Sequence, residues 1–179
     1  YHSCPEYLDN FIYGLPEINT DLIKKTNYVA VPGCYPTSIL IPLIPLLKKN
    51  LIDNNNIIID SKSGYSGAGK KFEIKNIKGN EDYNFYNYST NNHRHMSEIK
   101  QEMEKFSNNS VNFSFNPHIL PAYRGMLTTI YCNLKDSFTI EKIENIYNSF
   151  YKNFAFVNIL KDNIRADFFK VQNTNFCLI

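Results

Sequence analysis

Tryptophan is absent, glycine supplies only 7 of 179 residues, and the formal charges nearly cancel, leaving +2. So small a net charge argues against a protein held to nucleic acid by phosphate neutralisation, which needs a strongly basic surface. The densest basic stretch, Lys70, Lys71, Lys75 and Lys78, reads as a solvated face. The four cysteines, Cys4, Cys34, Cys132 and Cys177, form no close pairs and lack the histidine spacing of a zinc motif. Neither a disulfide framework nor a metal site is expected. No apolar run reaches membrane length and no leader segment is in view, so the expectation is a cytoplasmic setting with no membrane partner. A GxGxxG fingerprint is also missing, which removes a dinucleotide-binding Rossmann unit from what these residues encode.

What is present is bulky and apolar enough for a real core: 43% of the residues are hydrophobic, with 13 Tyr and 13 Phe. The length fits one domain. The organising stretch is Val31-Pro32-Gly33-Cys34-Tyr35-Pro36-Thr37, a turn that delivers a cysteine to the start of the apolar segment Thr37 to Leu47. Lys48 and Lys49 end that segment as cations suit a helix C-terminus. Cys34 then lies at the positive end, where orphan N–H groups favour a thiolate. A packed thiol is equally open on position alone. Pro42 and Pro45 predict a kink or an irregular buried segment.

Around this centre, Tyr13 to Glu17 reads as a turn, with Asn19 or Thr20 capping a short helix at about Asp21 to Lys25. Tyr28 to Val31 is a short strand, and Asn56 to Asp60 a buried one. The following stretch, Ser61 to Lys70, carries Ser63, Ser66, Gly67 and Gly69 and reads as a loop able to approach a phosphate or a cofactor, though it lacks the Walker spacing. Residues 72 to 92 form an irregular excursion whose aromatics pin it to the body or pack an interface. His93 and His95 precede a helix from Ser97 to Phe106, where Ile99, Met103 and Phe106 recur at helical spacing. As isolated residues they are structural or surface histidines, or a general acid and base held neutral by the helix terminus. Strands at 111 to 119 and 126 to 134 flank a connector holding Arg124, a helix runs from Ile140 to Tyr151, and Ala155 to Leu160 is a further strand. The order begins βαβ and continues as a meander and helix, which points to an α+β fold with a mixed or largely antiparallel sheet and helices on one face.

Six segments resemble the N-acetyl-gamma-glutamyl-phosphate reductase family of the semialdehyde dehydrogenase superfamily, in the family's order: YGLPEIN at 13–19, VPGCYPTS at 31–38, IIIDSKSGYSGAGK at 57–70, HRHMSEI at 93–99, HILPAYRG at 118–125 and NTNFCLI at 173–179. The resemblance covers essentially all 179 residues. It implies a glyceraldehyde-3-phosphate-dehydrogenase-like C-terminal domain for catalysis and dimerisation. The N-terminal NADP-binding Rossmann domain and the C-terminal return segment of the family are expected to lie outside residues 1–179. It implies NADP-dependent reduction of N-acetyl-L-glutamyl 5-phosphate to the 5-semialdehyde with release of phosphate, as part of arginine biosynthesis, in a homo-oligomer; the fragment alone should be inactive. In that reading Cys34 is the nucleophile, His95 the base with His93 as runner-up, Arg94 and Arg124 hold the anionic substrate, and Ser63, Ser66, Gly67 and Gly69 place the cofactor. Lys70 stands where the family commonly has arginine, and Ala122-Tyr123 where Met-Thr is common. A sister reductase acting on a carrier-borne aminoadipyl phosphate and a non-enzymatic interaction domain built on the same fold are the alternatives.

Overall fold

The computed structural model describes residues 3–69, 84–107, 109–161 and 163–179. His2, Lys70 with its basic neighbours Lys71, Lys75 and Lys78, and the 72–83 part of the excursion lie outside the described residues. Among the described residues the order is β1 (Ile12–Tyr13), α1 (Pro16–Ile23), β2 (Val29–Ala30), α2 (Cys34–Lys48), β3 (Ile57–Gly64), β4 (Tyr86–Asn87), α3 (Met96–Ser107), β5 (Phe113–Leu120), β6 (Met126–Tyr131), α4 (Ile140–Tyr151), β7 (Val157–Asn158), α5 (Phe168–Val171) and β8 (Cys177–Leu178), with short 3-10 turns at Pro5–Asn10 and Tyr65–Ala68. The fold is α+β, and its main sheet is mixed. Four strands lie in the order β4-β5-β3-β6; β3 runs parallel to β5 and antiparallel to β6. The βαβ opening expected from the chain order does not pair as such, because β2 joins β1 in a separate two-stranded parallel sheet.

Helix α2 is the core. Ten of its fifteen residues are buried, among them Ile39, Leu40, Leu43 and Ile44, each at most 1% exposed. A helix apolar all round belongs inside a protein, and each such side chain contributes about 1.5–3 kcal/mol on leaving water. One sheet face meets this layer through Ile57, Ile59 and Ser61 of β3 and Phe115 of β5, all 0% exposed. On the opposite face Ile58 is 45% and Tyr131 58% exposed.

The prolines do not interrupt α2, which runs unbroken from Cys34 to Lys48. Pro45 has no N–H for the carbonyl of Ile41 one turn back. That carbonyl instead accepts from the Tyr151 hydroxyl of α4, while Tyr147 donates to the Pro42 carbonyl at 2.7 Å. Tyr151 therefore replaces what the ring removes, and the two tyrosines, one turn apart, clamp α4 to α2.

Several boundaries differ from expectation, among them the strand expected at 126–134, which ends at Tyr131, and that at 155–160, which is Val157–Asn158; two others bear on the site. Helix α1 starts at Pro16, ahead of the expected Asp21, with Leu15 as its uncharged N-cap, since Pro at the first turn needs no N–H; Asn19, at φ −128° and ψ 21°, kinks it, so a second helical start does lie just before Asp21. Asn19 is buried and donates to the Tyr13 carbonyl at 2.8 Å. Strand β3 continues through Ser61 to Gly64, residues expected in a loop, because β5 and β6 flank it on both edges and complete its ladder.

Tyr151→Phe leaves the Ile41 carbonyl buried without a donor. Chemical denaturation should show a loss of about 1–3 kcal/mol, and an unchanged midpoint would show that Pro45 needs no such compensation.

Candidate active site around Cys34

Gly33 caps α2 in an extended conformation, φ −65° and ψ 158°, and no side chain caps the helix. The orphan N–H groups of the first turn are thus free to act elsewhere. Those of Cys34 itself and Tyr35 hydrogen-bond the thiol, and the Arg94 charge adds to their pull towards thiolate. Desolvation is larger and opposite, so the thiol stands above its ordinary value. The expectation of a depressed thiol is corrected accordingly: Cys34 is exposed as a residue, yet protein packed behind its sulfur outweighs the helix terminus. Its neighbour Tyr35 is 2% exposed and packs its ring 5.2 Å from Phe115 and 5.4 Å from His93. Burying Tyr35 turns Cys34 outward.

The histidines come to this turn from the start of α3. A methyl group on Gly33 would lie 2.6 Å from His95 Nε2, so the imidazole rests directly on the residue before the cysteine. Glu98, one turn into α3, ties the same two pieces: its Oε1 accepts from the Gly33 N–H at 2.9 Å and from the Tyr13 hydroxyl at 2.8 Å. His93 and His95 have ring centroids 4.8 Å apart. Burial, His95 and Arg94 bring His93 down to about 4, and burial with Arg94 lowers His95 despite the opposing pull of Glu98. Both imidazoles are neutral near pH 7, the form that takes a proton. The two are used differently. His93 Nδ1 accepts from the His95 backbone N–H at 3.1 Å and its Nε2 faces the Tyr88 hydroxyl at 3.4 Å, whereas His95 Nδ1 is buried without a partner among the described residues.

On the other side of Cys34 a cleft of about 1050 Å³ is lined by Ser63, Ser66, Gly67 and Arg124 together with Cys34. The end of β3 docks on the β5–β6 connector: Gly64, Tyr65 and Ser66 donate to the carbonyls of Gly125, Ala122 and Tyr123 at 3.0, 3.0 and 2.9 Å. A side chain at Gly64 would meet the Ala122 carbonyl at 2.7 Å, so only glycine allows this approach. The docking is what carries Arg124 and the serines to one wall. Arg94 and the two histidines do not line this cleft; they stand on the α3 side of the thiol. Gly69 does not line it either and is exposed with φ 84°. Arg124 is exposed, and its guanidinium lies 5.3 Å over the Tyr123 ring.

The family described as "Semialdehyde dehydrogenase, dimerisation domain" matches residues 34–179. The chain belongs to this family. Its dimerisation domain is similar to N-acetyl-gamma-glutamyl-phosphate reductases from Caldicellulosiruptor bescii, 46% identical over 98% of this chain and 51% of that protein, and from Clostridium beijerinckii, 43% identical over 98% and 51%. The chain spans about half the length of the curated relatives it matches. Among solved structures, aspartate semialdehyde dehydrogenase II from Vibrio cholerae superposes with TM-score 0.67 at 15% identity over 96% of this chain and 58% of that one. The Francisella tularensis enzyme gives 0.69 at 12% over 94% and 60%. At such identities the two share the dimerisation-domain fold, with its mixed sheet and helices, and nothing finer. Among the described residues, no helix is long and apolar enough to cross a membrane, and no group of three or more metal-ligating side chains is assembled.

Reading the sequence missed Glu98, Tyr88 and Tyr35 as parts of the site. Glu98 had a visible signal, three residues from His95 on one helix face; Tyr88 had none, since only the fold brings the excursion against His93.

Two outcomes follow from this geometry. Gly33→Ala keeps a backbone that alanine readily adopts, so the His95 ring must give way; stability should fall by about 1–3 kcal/mol, and a crystal structure should show the imidazole displaced from residue 33. His93 is protonated more readily unfolded, at its ordinary 6.5, than folded, at about 4. The unfolded chain therefore gains protons first on acidification, and the stability present above pH 6.5 is lost towards pH 4. Denaturation midpoints measured across that window should flatten in His93→Gln.

Proposed function

We propose that this chain is the catalytic and dimerisation portion of a reductase that converts N-acetyl-L-glutamyl 5-phosphate, with NADPH, to N-acetyl-L-glutamate 5-semialdehyde and phosphate, in arginine biosynthesis. The observation that carries the reading is the placement of the neutral His95 imidazole on Gly33, the residue before Cys34 at an uncapped helix N-terminus. The six matching segments and the reductase relatives supply the substrate class.

In this scheme His95 takes the Cys34 proton as the sulfur attacks the acyl carbon, the C–O bond to phosphate breaks, and a thioester remains on Cys34. Taking the proton in the same step suits a thiol that burial holds above its ordinary value. The N–H groups of Cys34 and Tyr35 hydrogen-bond the sulfur and suit the oxygen that gains charge during attack. After reduction, His95 returns its proton as the C–S bond breaks and the aldehyde leaves. Arg124 faces the cleft and suits the substrate carboxylate, while Arg94, on the histidine side, suits the departing phosphate.

Ser63, Ser66 and Gly67 share the cleft with Cys34, and Gly67 packs against Ser63, whose Oγ a side chain at residue 67 would meet at 2.8 Å. These residues fit the nicotinamide end of NADP. When bound, the cofactor supplies the hydride. Gly69, away from the cleft, is assigned no contact. The dinucleotide's own domain belongs to the remainder of a longer protein, this domain supplies the subunit contact of a homo-oligomer, and the setting is cytoplasmic.

The test is an assay of the full-length protein with N-acetylglutamate semialdehyde, phosphate and NADP, following NADPH at 340 nm. Cys34→Ser should abolish turnover, and His95→Asn should lower kcat by about 100-fold or more. No activity in the intact protein, or equal activity in Cys34→Ser, would overturn the proposal.

A further inference from the structure

The hydrogen bonds behind Cys34 run in a single direction. At one end the backbone N–H of His95 donates to His93 Nδ1 at 3.1 Å, so that nitrogen must carry a lone pair. A neutral imidazole then keeps its proton on Nε2, which faces the Tyr88 hydroxyl at 3.4 Å. Tyr88 donates to the Tyr35 hydroxyl at 3.2 Å, and Tyr35 donates to the backbone carbonyl of His118 at 3.2 Å. The two ends are backbone groups that cannot exchange roles, one always a donor and the other always an acceptor. Each hydroxyl between them receives one hydrogen and passes on another. The links are long, so their effect lies less in strength than in orientation.

Tyr88 is itself held. Its N–H donates to the Pro117 carbonyl at 3.0 Å, and Asn91 pairs with Phe115 through N–H to carbonyl at 3.0 Å and through Oδ1, which accepts the Phe115 N–H at 2.8 Å. The residues after β4 are thus strapped to the edge of β5, and Tyr88 reaches His93 from a fixed base.

We propose that Tyr88 is a positioning residue for the Cys34–His95 pair: its hydroxyl, together with the His95 N–H, secures the Nε2–H tautomer of His93, whose Nδ1 clamps the His95 backbone and keeps the His95 ring on Gly33. His93 accordingly has no lone pair left for the thiol proton. The role goes beyond the proposed activity and rests on it only for the turnover readout.

The test uses the full-length protein labelled with ¹⁵N-histidine. Wild-type His93 should show a protonated Nε2 and an unprotonated Nδ1; a protonated Nδ1 overturns the proposal before any variant is made. In Tyr88→Phe the His93 signals should become those of a tautomer mixture, the rate of Cys34 alkylation by iodoacetamide should change about threefold or more, and kcat should fall about tenfold with KM within about twofold. Tyr86→Phe, an exposed tyrosine in the same stretch, should change none of these. A single Nε2–H tautomer and a wild-type alkylation rate in Tyr88→Phe overturn the positioning role. Lack of acyl-phosphate turnover in the wild-type protein overturns the reductase reading alone, since tautomer and alkylation are read without substrate.

Discussion

The site depends on one constraint, the burial of most of α2, ten of whose fifteen residues lie inside the protein. A helix enclosed by the sheet, α3 and α4 cannot slide or rotate without opening its packing, so its first turn is held as firmly as its middle. Cys34 inherits that rigidity without being part of the core. The neighbouring Tyr35 carries the burial at 2% exposure, and the thiol, one residue away on the turn, faces outward. The same enclosure would be unstable if the carbonyl freed by Pro45 had no donor, and the Tyr151 hydroxyl supplies it from α4. The placement of Cys34 and the stability of the core are therefore one packing problem.

Electrostatics at the turn oppose one another. The free N–H groups and Arg94 draw the thiol towards thiolate, while desolvation pushes it the other way and wins. The same burial drives both histidines neutral. A thiol that keeps its proton beside an imidazole able to take it is suited to transfer during attack, rather than to a standing thiolate exposed to oxidation. Glu98 joins the two partners mechanically, since one oxygen holds both the turn before Cys34 and the Tyr13 hydroxyl of β1.

The fold class and most elements were legible. Helix α4 matches its expected bounds at Ile140 and Tyr151, and α3 lies within a residue of its expected ends, because an amphipathic helix writes its period into the sequence. The boundaries that shifted are those that neighbours decide. Ser61 to Gly64 look like a loop by composition, yet two flanking strands satisfy their backbone and make them strand. Leu15 looks like no cap, yet Pro16 at the first helical turn makes capping by a side chain unnecessary.

By itself the sequence determined that a cysteine would begin an apolar helix, that two histidines would precede another, and which family the six segments resemble. These are local matters, set by turn residues, periodicity and short strings. Only the tertiary structure decided that His95 rests on Gly33, that Arg124, Ser63 and Ser66 share the cleft while Arg94 and Gly69 do not, and that Tyr88 reaches His93. Except for Tyr88 and His93, five positions apart, those contacts join residues far apart in the chain, and their distances follow from how the sheet and α2 pack, which no local pattern encodes.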